Sequence, residues 1–241
     1  MTHVITEKII KSVGYYSQSV SNLIFPRLCF GCDQSSVEEN QFFCVACMTD
    51  LPFTEFEKIR DNPVEKLFWG RVKASFATST FFYQEETPIQ KAIHRIKYDN
   101  QRELGLFFGE LMGFRLTALT TFHKIDYLIP MPLHPKKEKD RGYNQASLLC
   151  KGMSKATGIP CHEKFLKRNT HTATQTKKSR IERWDNVSDV FGVNKDPAIL
   201  GKNILLVDDV ITTGASTEAC IQTLLDAGIG QVSVSSLAFT L

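Results

Sequence analysis

Two adjacent acids, Asp208 and Asp209, follow the apolar run Ile204-Leu205-Leu206-Val207, and the stretch Thr212-Thr213-Gly214-Ala215-Ser216 follows them. The apolar run predicts a buried strand over 203–207, and the spacing after Ser216 predicts a helix over 217–227 closed by Gly228. Each residue type has a use in such a strand–loop–helix unit. Free backbone N–H groups at a helix start favour an anion. Gly214 lets the backbone approach that anion closely. The hydroxyls of Thr212, Thr213 and Ser216 add hydrogen bonds to phosphate oxygens. Two carboxylates beside this cup would repel a bare phosphate, so they fit sugar hydroxyls, or a metal ion bound to them. The pattern lacks the Gly-Lys-Thr/Ser ending of a Walker loop and the glycine triplet of a dinucleotide fingerprint. A plain strand-to-helix turn with incidental acids is the bland alternative.

A second cysteine-based constellation lies near the amino end. Cys29-Phe-Gly-Cys32 and Cys44-Val-Ala-Cys47 are separated by eleven residues. Two such pairs can place four thiolates tetrahedrally around one zinc ion, with Gly31 allowing the tight turn of the first pair. Four cysteine ligands leave no open position for water, so the site reads as structural. Four unrelated buried thiols, or a redox pair, are the competing reading. Cys150, Cys161 and Cys220 are scattered, which is not a secreted disulfide framework and suits a reducing cytoplasm.

Two basic stretches complete the candidate chemistry. Ile129-Pro-Met-Pro132-Leu-His134-Pro is stiffened by prolines and runs into Lys136, Lys137, Lys139 and Arg141, then Gly142-Tyr143-Asn144-Gln145. The lysines fit either an anion or a solvated charged loop. Residues 164–183 hold seven Lys or Arg and one acid, Glu182. Lys177, Lys178, Arg180 and Arg183 cluster there, with Trp184 beside them. That stretch fits a lid, an exposed charged hairpin, or a surface for single-stranded DNA on which Trp184 stacks a base. Trp184 fits a core position equally well. Lys97 and Tyr98, at the end of a predicted helix, fit either a helix-end cation or the wall of a cleft.

These residues need elements to position them. Residues 4–25 read as a helix stopped by Pro26, and residues 54–69 as a linker with one helical turn. Strand character over 72–83, helices over 87–97, 104–119 and 145–157, and short strands at 127–129 and 232–237 then alternate. Alternation of this kind predicts a parallel sheet with helices on both faces, and ligands at the carboxyl ends of its strands. The expected organisation is a helix and four-cysteine module over 1–60 and an α/β domain over 61–241. The chain of 241 residues is 42% hydrophobic and 23% charged, with 29 basic and 26 acidic residues. A net charge of +3 is too small to attract nucleic acid globally, so any such surface must be local. No apolar run is long enough to span a membrane, and the start does not read as a signal peptide.

The stretch 204–216 closely resembles the phosphoribosyl diphosphate (PRPP) signature of type I phosphoribosyltransferases. The order of motifs from the paired cysteines through Ile96-Lys97-Tyr98, Pro130-Met-Pro132, Arg141-Gly-Tyr-Asn144-Gln145 and the basic stretch to that signature resembles the ComF family of competence proteins. The resemblance implies a cytoplasmic protein with structural zinc and a type I phosphoribosyltransferase-like domain that takes PRPP with magnesium. In that reading Asp208 and Asp209 take the ribose hydroxyls, and Thr212, Thr213, Gly214, Ala215 and Ser216 take the 5-phosphate. Pro132, Asn144 and Gln145 belong to the same site, with Arg141, Lys177 and Arg180 as pyrophosphate and lid residues. Purine-salvage members carry an aspartate where Thr212 stands, which argues against purine salvage. The family implies a role in the uptake of single-stranded DNA, with competence or DNA-processing proteins as partners. Two functions remain open: a phosphoribosyltransferase, hence a glycosyl transfer to an unknown acceptor, or a non-catalytic accessory protein that binds single-stranded DNA and keeps PRPP as a regulator or relic.

Overall fold

The computed structural model describes residues 26–38, 40–119, 122–169 and 190–240. The helix expected over 4–25 lies outside them. The chain divides into two compact units, Met1–Leu51 and Pro52–Leu241. In the first, Leu28 and Ser36 form an antiparallel bridge, and the short helix α1 spans Val45–Thr49. Arg27 lies over the Phe30 and Phe42 rings, 5.9 and 5.2 Å from their centroids, in cation–π contact, while Phe43 and Leu51 are buried.

The second unit is an α/β fold around a four-stranded parallel sheet in the order β1-β6-β5-β2, where β1 is Ala77–Phe82, β2 Tyr127–Pro130, β5 Asn203–Ile211 and β6 Gln231–Phe239. Helices cover both faces, as the alternation predicts. On one face, Cys220, Ile221 and Leu224 of α7 (Ala215–Asp226) pack with Ile204, Leu206, Val232 and Val234. On the other lie α3 (Pro88–Tyr98), α4 (Arg102–Leu116) and α6 (Gln145–Thr157). Phe108 of α4 meets Phe81 of β1 edge-on at 5.7 Å. A strand covered on both faces must be continuously apolar, which is what Ile204 to Val207 supply.

The helix ends follow from their caps. Thr87 accepts from the Gln90 N–H before α3, and Asn144 accepts from the Ala146 N–H before α6. Gly158 closes α6 at φ +75°. Helices α4 and α6 come into backbone contact through Gly109 and Gly152. A Cβ on Gly152 would lie 2.8 Å from both the Glu110 nitrogen and the Gly109 Cα, and closer still to the Leu106 carbonyl oxygen.

Three expectations need correction. Residues 54–69 are not a linker. They contain a 3-10 turn, Phe56–Lys58, and the helix α2, Pro63–Lys66, and they bury Phe56, Val64 and Phe68 in the α7-side core. Burial of each such side chain is worth roughly 1.5–3 kcal/mol, enough to override linker-like local sequence. Within the second unit, Phe53 bridges Phe81, and the Thr54 N–H donates to the Thr80 carbonyl at 3.0 Å. The charged segment after His134 is a helix, α5 (Pro135–Arg141), with His134 as its N-cap, Pro135 at its start and Gly142 at φ +76° as its stop. The third correction concerns the stretch 164–183, which is not wholly an exposed hairpin because its first residues are anchored in the core. Leu166–Arg168 (β3) and Phe191–Val193 (β4) pair antiparallel, and Phe165, Leu166 and Phe191 are buried.

Candidate functional site

Strands β2 and β5 are parallel neighbours with Pro130 beside Val207, so the segments that follow them leave the sheet at the same end. The Met131 N–H continues the ladder to the Val207 carbonyl at 2.8 Å. Strand β5 runs further than its apolar core, to Ile211, and so carries both acids inside the strand. Side chains alternate along a strand. Asp208 shares the α7 side with Leu206, and Asp209 faces α3, where Lys97 Nζ lies 2.9 Å from its Oδ2.

A cleft of about 200 Å³ opens at this end, lined by Met131, Pro132, Leu133, Asn144, Gln145, Ala146, Arg168 and residues 208–217. It gathers every residue assigned to PRPP from the sequence: Asp208, Asp209, Thr212, Thr213, Gly214, Ala215, Ser216, Pro132, Asn144 and Gln145. Gly214 is the N-cap of α7 at φ +74°, a left-handed conformation that glycine adopts without steric cost. A Cβ there would also press on Leu67 Cδ1 and Phe68 Cε1, each at 3.3 Å, so the segment misread as a linker supports the loop from below. Thr212, Thr213, Ala215 and Ser216 are exposed.

The electrostatics of the acids are asymmetric. Desolvation first, and the neighbouring Asp209 charge second, push the Asp208 carboxyl well above the usual carboxylate range. Asp209 has Lys97 as counter-charge. Among the described residues Asp208 makes no ion pair, an arrangement that suits a metal-bound sugar or a hydroxyl donor entering the cleft.

Several site residues are held by one another. The Asn144 side chain donates to the Met131 carbonyl at 2.9 Å while capping α6, so it fixes the Pro132 turn against that helix. Gln145 is 2% exposed. Its Oε1 accepts from Arg141 Nη1 at 2.7 Å, and its Nε2 has no partner among the described residues. A buried amide donor left in that state costs about 1–3 kcal/mol, so a ligand oxygen there would be stabilising. Arg141 reaches the first cleft only through Gln145; its guanidinium lies over the Tyr98 ring, 5.3 Å from the centroid. Lys177 and Arg180, with Lys178, Arg183 and Trp184, lie outside the described residues. Arg168 is the cleft residue that sequence reasoning did not single out. It was hidden in the basic run, and its place in β3, with its guanidinium 5.4 Å from the Phe191 ring centroid, is what brings it to the cleft wall.

In the first unit, the sulfurs of Cys29, Cys32, Cys44 and Cys47 all lie within 4.8 Å of one another. Four sulfurs bound at about 2.3 Å around a tetrahedral ion sit about 3.8 Å apart, so the cluster can hold a metal ion. The Gly31 and Cys44 N–H groups donate to Cys29 Sγ at 3.4 and 3.2 Å. In this turn Asp33 is left-handed, at φ 57°, and the Gly31 N–H points to the Cys29 sulfur.

Among the described residues, no helix is long and apolar enough to cross a membrane. No family model matches the chain. It is 31% identical to Competence protein F of Haemophilus influenzae over 158 residues, 63% of this chain and 68% of that protein. It is 30% identical to the DNA utilization protein YhgH of Escherichia coli over 159 residues, 64% and 68% of the two chains. Competence protein ComFC of Bacillus subtilis is 30% identical over 164 residues, 66% of this chain and 61% of that one. Among solved structures, the glutamine PRPP amidotransferase of B. subtilis matches at 18% identity with a TM-score of 0.43, covering 60% of this chain and 30% of that one. Adenine phosphoribosyltransferase of Saccharomyces cerevisiae matches at 16% identity with a TM-score of 0.36, covering 66% and 76%. The fold assignment rests on the strand order and direction described above.

Proposed function

Because the chain belongs to the ComF family, we propose that its cleft binds PRPP with magnesium. The observation that carries this reading is the convergence of Asp208, Asp209 and the Gly214-capped start of α7 on one cleft. The 5-phosphate sits on the N–H groups and hydroxyls of residues 212–216, where the helix start favours an anion. The ribose hydroxyls and their magnesium face Asp208 and Asp209. The pyrophosphate points toward Gln145 and Arg141, with Lys177 and Arg180 closing over it. Zinc holds Cys29, Cys32, Cys44 and Cys47 together in a reducing cytoplasm.

In a transfer reaction, the bond from ribose C1 to pyrophosphate breaks as an acceptor attacks C1, and pyrophosphate leaves with the bonding electron pair. The protein's contribution is to hold the charges and exclude misorientation. The test is pyrophosphate release from Mg-PRPP in the presence of bases, amines or single-stranded DNA. Release that depends on one acceptor class supports transfer; intact PRPP binding with no release under any of them overturns it.

The names of the relatives favour a second reading, an accessory protein for single-stranded DNA and its processing partners in natural transformation. Its surface would be the basic stretch 164–183 with residues 136–141. Charge reversal at Lys177 and Lys178 should then flatten the salt dependence of DNA binding. Unchanged affinity and slope would place any DNA surface elsewhere.

A further inference from the structure

A second cleft, of about 480 Å³, lies between the carboxyl end of α3 and helix α5, lined by Lys97, Tyr98, Asn100, Lys137, Asp140 and Arg141. Lys97, Lys137 and Arg141 face Asp140, and even with Lys97 paired to Asp209 one cation more than acids remains, so the cleft favours an anion. It also carries an aromatic side chain, Tyr98, whose ring meets the His94 ring 4.7 Å away and the Arg141 guanidinium. Tyr98 is 62% exposed, although it is among the larger apolar-bodied side chains of the unit. Arg141 is fixed in place there by three contacts. Its guanidinium lies over the Tyr98 ring at 5.3 Å, its Nη2 is 3.5 Å from the Tyr98 hydroxyl, and its Nη1 donates to Gln145 at 2.7 Å. A guanidinium held in this way has lost its conformational freedom before a ligand arrives, and it keeps further N–H donors to offer. Asn100 is held at φ 54° with its Oδ1 accepting from Arg102 Nε at 3.0 Å, which leaves its amide N–H groups for a ligand.

A phosphate alone would use the cations and leave the ring idle. An uncharged aromatic would use the ring and leave Lys137 and Arg141 idle. We propose that this cleft binds a single nucleotide unit, its phosphate between Lys97, Lys137 and Arg141 and its base extending the stack of Tyr98 and Arg141. The Asp140 carboxylate and the Asn100 amide offer an acceptor and donors to the edge of the base. This site does not depend on the PRPP reading, and where the unit belongs to a strand it rests on the single-stranded DNA reading, which also draws on residues 136–141. The two clefts do share walls, because Lys97 pairs with Asp209 and Arg141 with Gln145, so a bound nucleotide would lie next to the phosphate-ribose cleft.

The nucleotide unit could be free or part of a strand, and the test separates these. The full chain is titrated calorimetrically with deoxythymidine monophosphate, thymidine and a short oligothymidylate, each with and without excess ribose 5-phosphate. The monophosphate should bind and thymidine should bind at least tenfold more weakly. Tyr98→Ala should weaken the monophosphate by about 5- to 160-fold, the range expected for loss of one stacked base, while Tyr98→Phe retains it. Lys137→Glu should weaken it and flatten its salt dependence. Both positions lie at the surface, so the folded state should survive the changes, and circular dichroism confirms this. An oligothymidylate that binds more tightly than the monophosphate, with the same Tyr98 dependence, identifies a strand as the source; equal affinities identify the free nucleotide. Displacement by ribose 5-phosphate, equal binding of thymidine, or indifference to Tyr98→Ala and Lys137→Glu each overturns the proposal.

Discussion

Gly214 offers a test of the loop in which two costs can be separated. It caps α7 at φ +74°, and an added Cβ would lie 3.3 Å from Leu67 Cδ1 and from Phe68 Cε1. Placing alanine in the left-handed region costs roughly 1–2 kcal/mol. The contacts add a smaller amount, because Leu67 is half-buried and its side-chain tip can shift, whereas the Phe68 ring is buried. Gly214→Ala should therefore lose about 1–3 kcal/mol of stability in urea unfolding. Gly228 supplies the control. It sits at φ +88° with only Leu200 Cδ2 near, at 3.5 Å, far from the cleft. Gly228→Ala should pay the same backbone cost without touching the anion cup. Calorimetric titration with Mg-PRPP should show Gly214→Ala weakened tenfold or more, since the loop must distort or lose its close approach, and Gly228→Ala unchanged. Equal PRPP affinity in the two variants would refute the assignment of this loop to the 5-phosphate.

Asp208 should trade stability for function. Its carboxyl is raised in the folded state, by desolvation first and Asp209 second, so ionising it costs stability. The contribution should fall as pH rises from the unfolded carboxyl value, about 3.9, through the folded one. Asp208→Asn should raise the neutral-pH melting temperature, remove that slope and weaken Mg-PRPP binding; a lower melting temperature at neutral pH would contradict the desolvation argument. Gly152→Ala should push α4 and α6 apart, because its Cβ would meet the Leu106 carbonyl, and lose at least about 1–3 kcal/mol; stability within 0.5 kcal/mol, roughly the range of a surface change, would show that the helices can separate freely. Elemental analysis under reducing, non-chelating conditions should find zinc near one equivalent, and Cys44→Ser should loosen the first unit while leaving the thermal melt of the second in place; absence of zinc would contradict the four-thiolate reading.

Local signals explain which elements were legible in advance. Helix α6 was read as 145–157, its observed span, because Asn144 caps it and Gly158 stops it. Strand β5 was legible because a doubly covered strand must be apolar, but its last residues were missed where polarity returns at Asp208 and Asp209. What escaped depends on distant partners. Phe56 and Phe68 look like linker aromatics until the Phe239 ring and Gly214 come against them. Helix α5 is rich in charge and buries nothing, so it has no apolar period to detect; its cap, proline and glycine were the only clues. The three-residue strands β3 and β4 are too short for a period of two to register. The residues proposed for PRPP were legible as types in sequence, but the pairings of Asp209 with Lys97 and Arg141 with Gln145 required the fold.

The central claim is that Asp208 and Asp209 grip a magnesium-bound phosphoribosyl group. It is tested most directly by calorimetric titration of PRPP into the wild-type chain and into the double variant Asp208→Ala, Asp209→Ala, with and without magnesium. The wild type should bind, and binding should fall sharply when magnesium is removed. Each charged hydrogen bond lost should cost about 1.5–3 kcal/mol, more than tenfold in affinity. Removing Asp209 also frees Lys97, which attracts the anion, so the observed loss is a lower bound on the grip of the two acids. A wild-type chain that binds no PRPP with magnesium, or a double variant of unchanged affinity, would contradict the account.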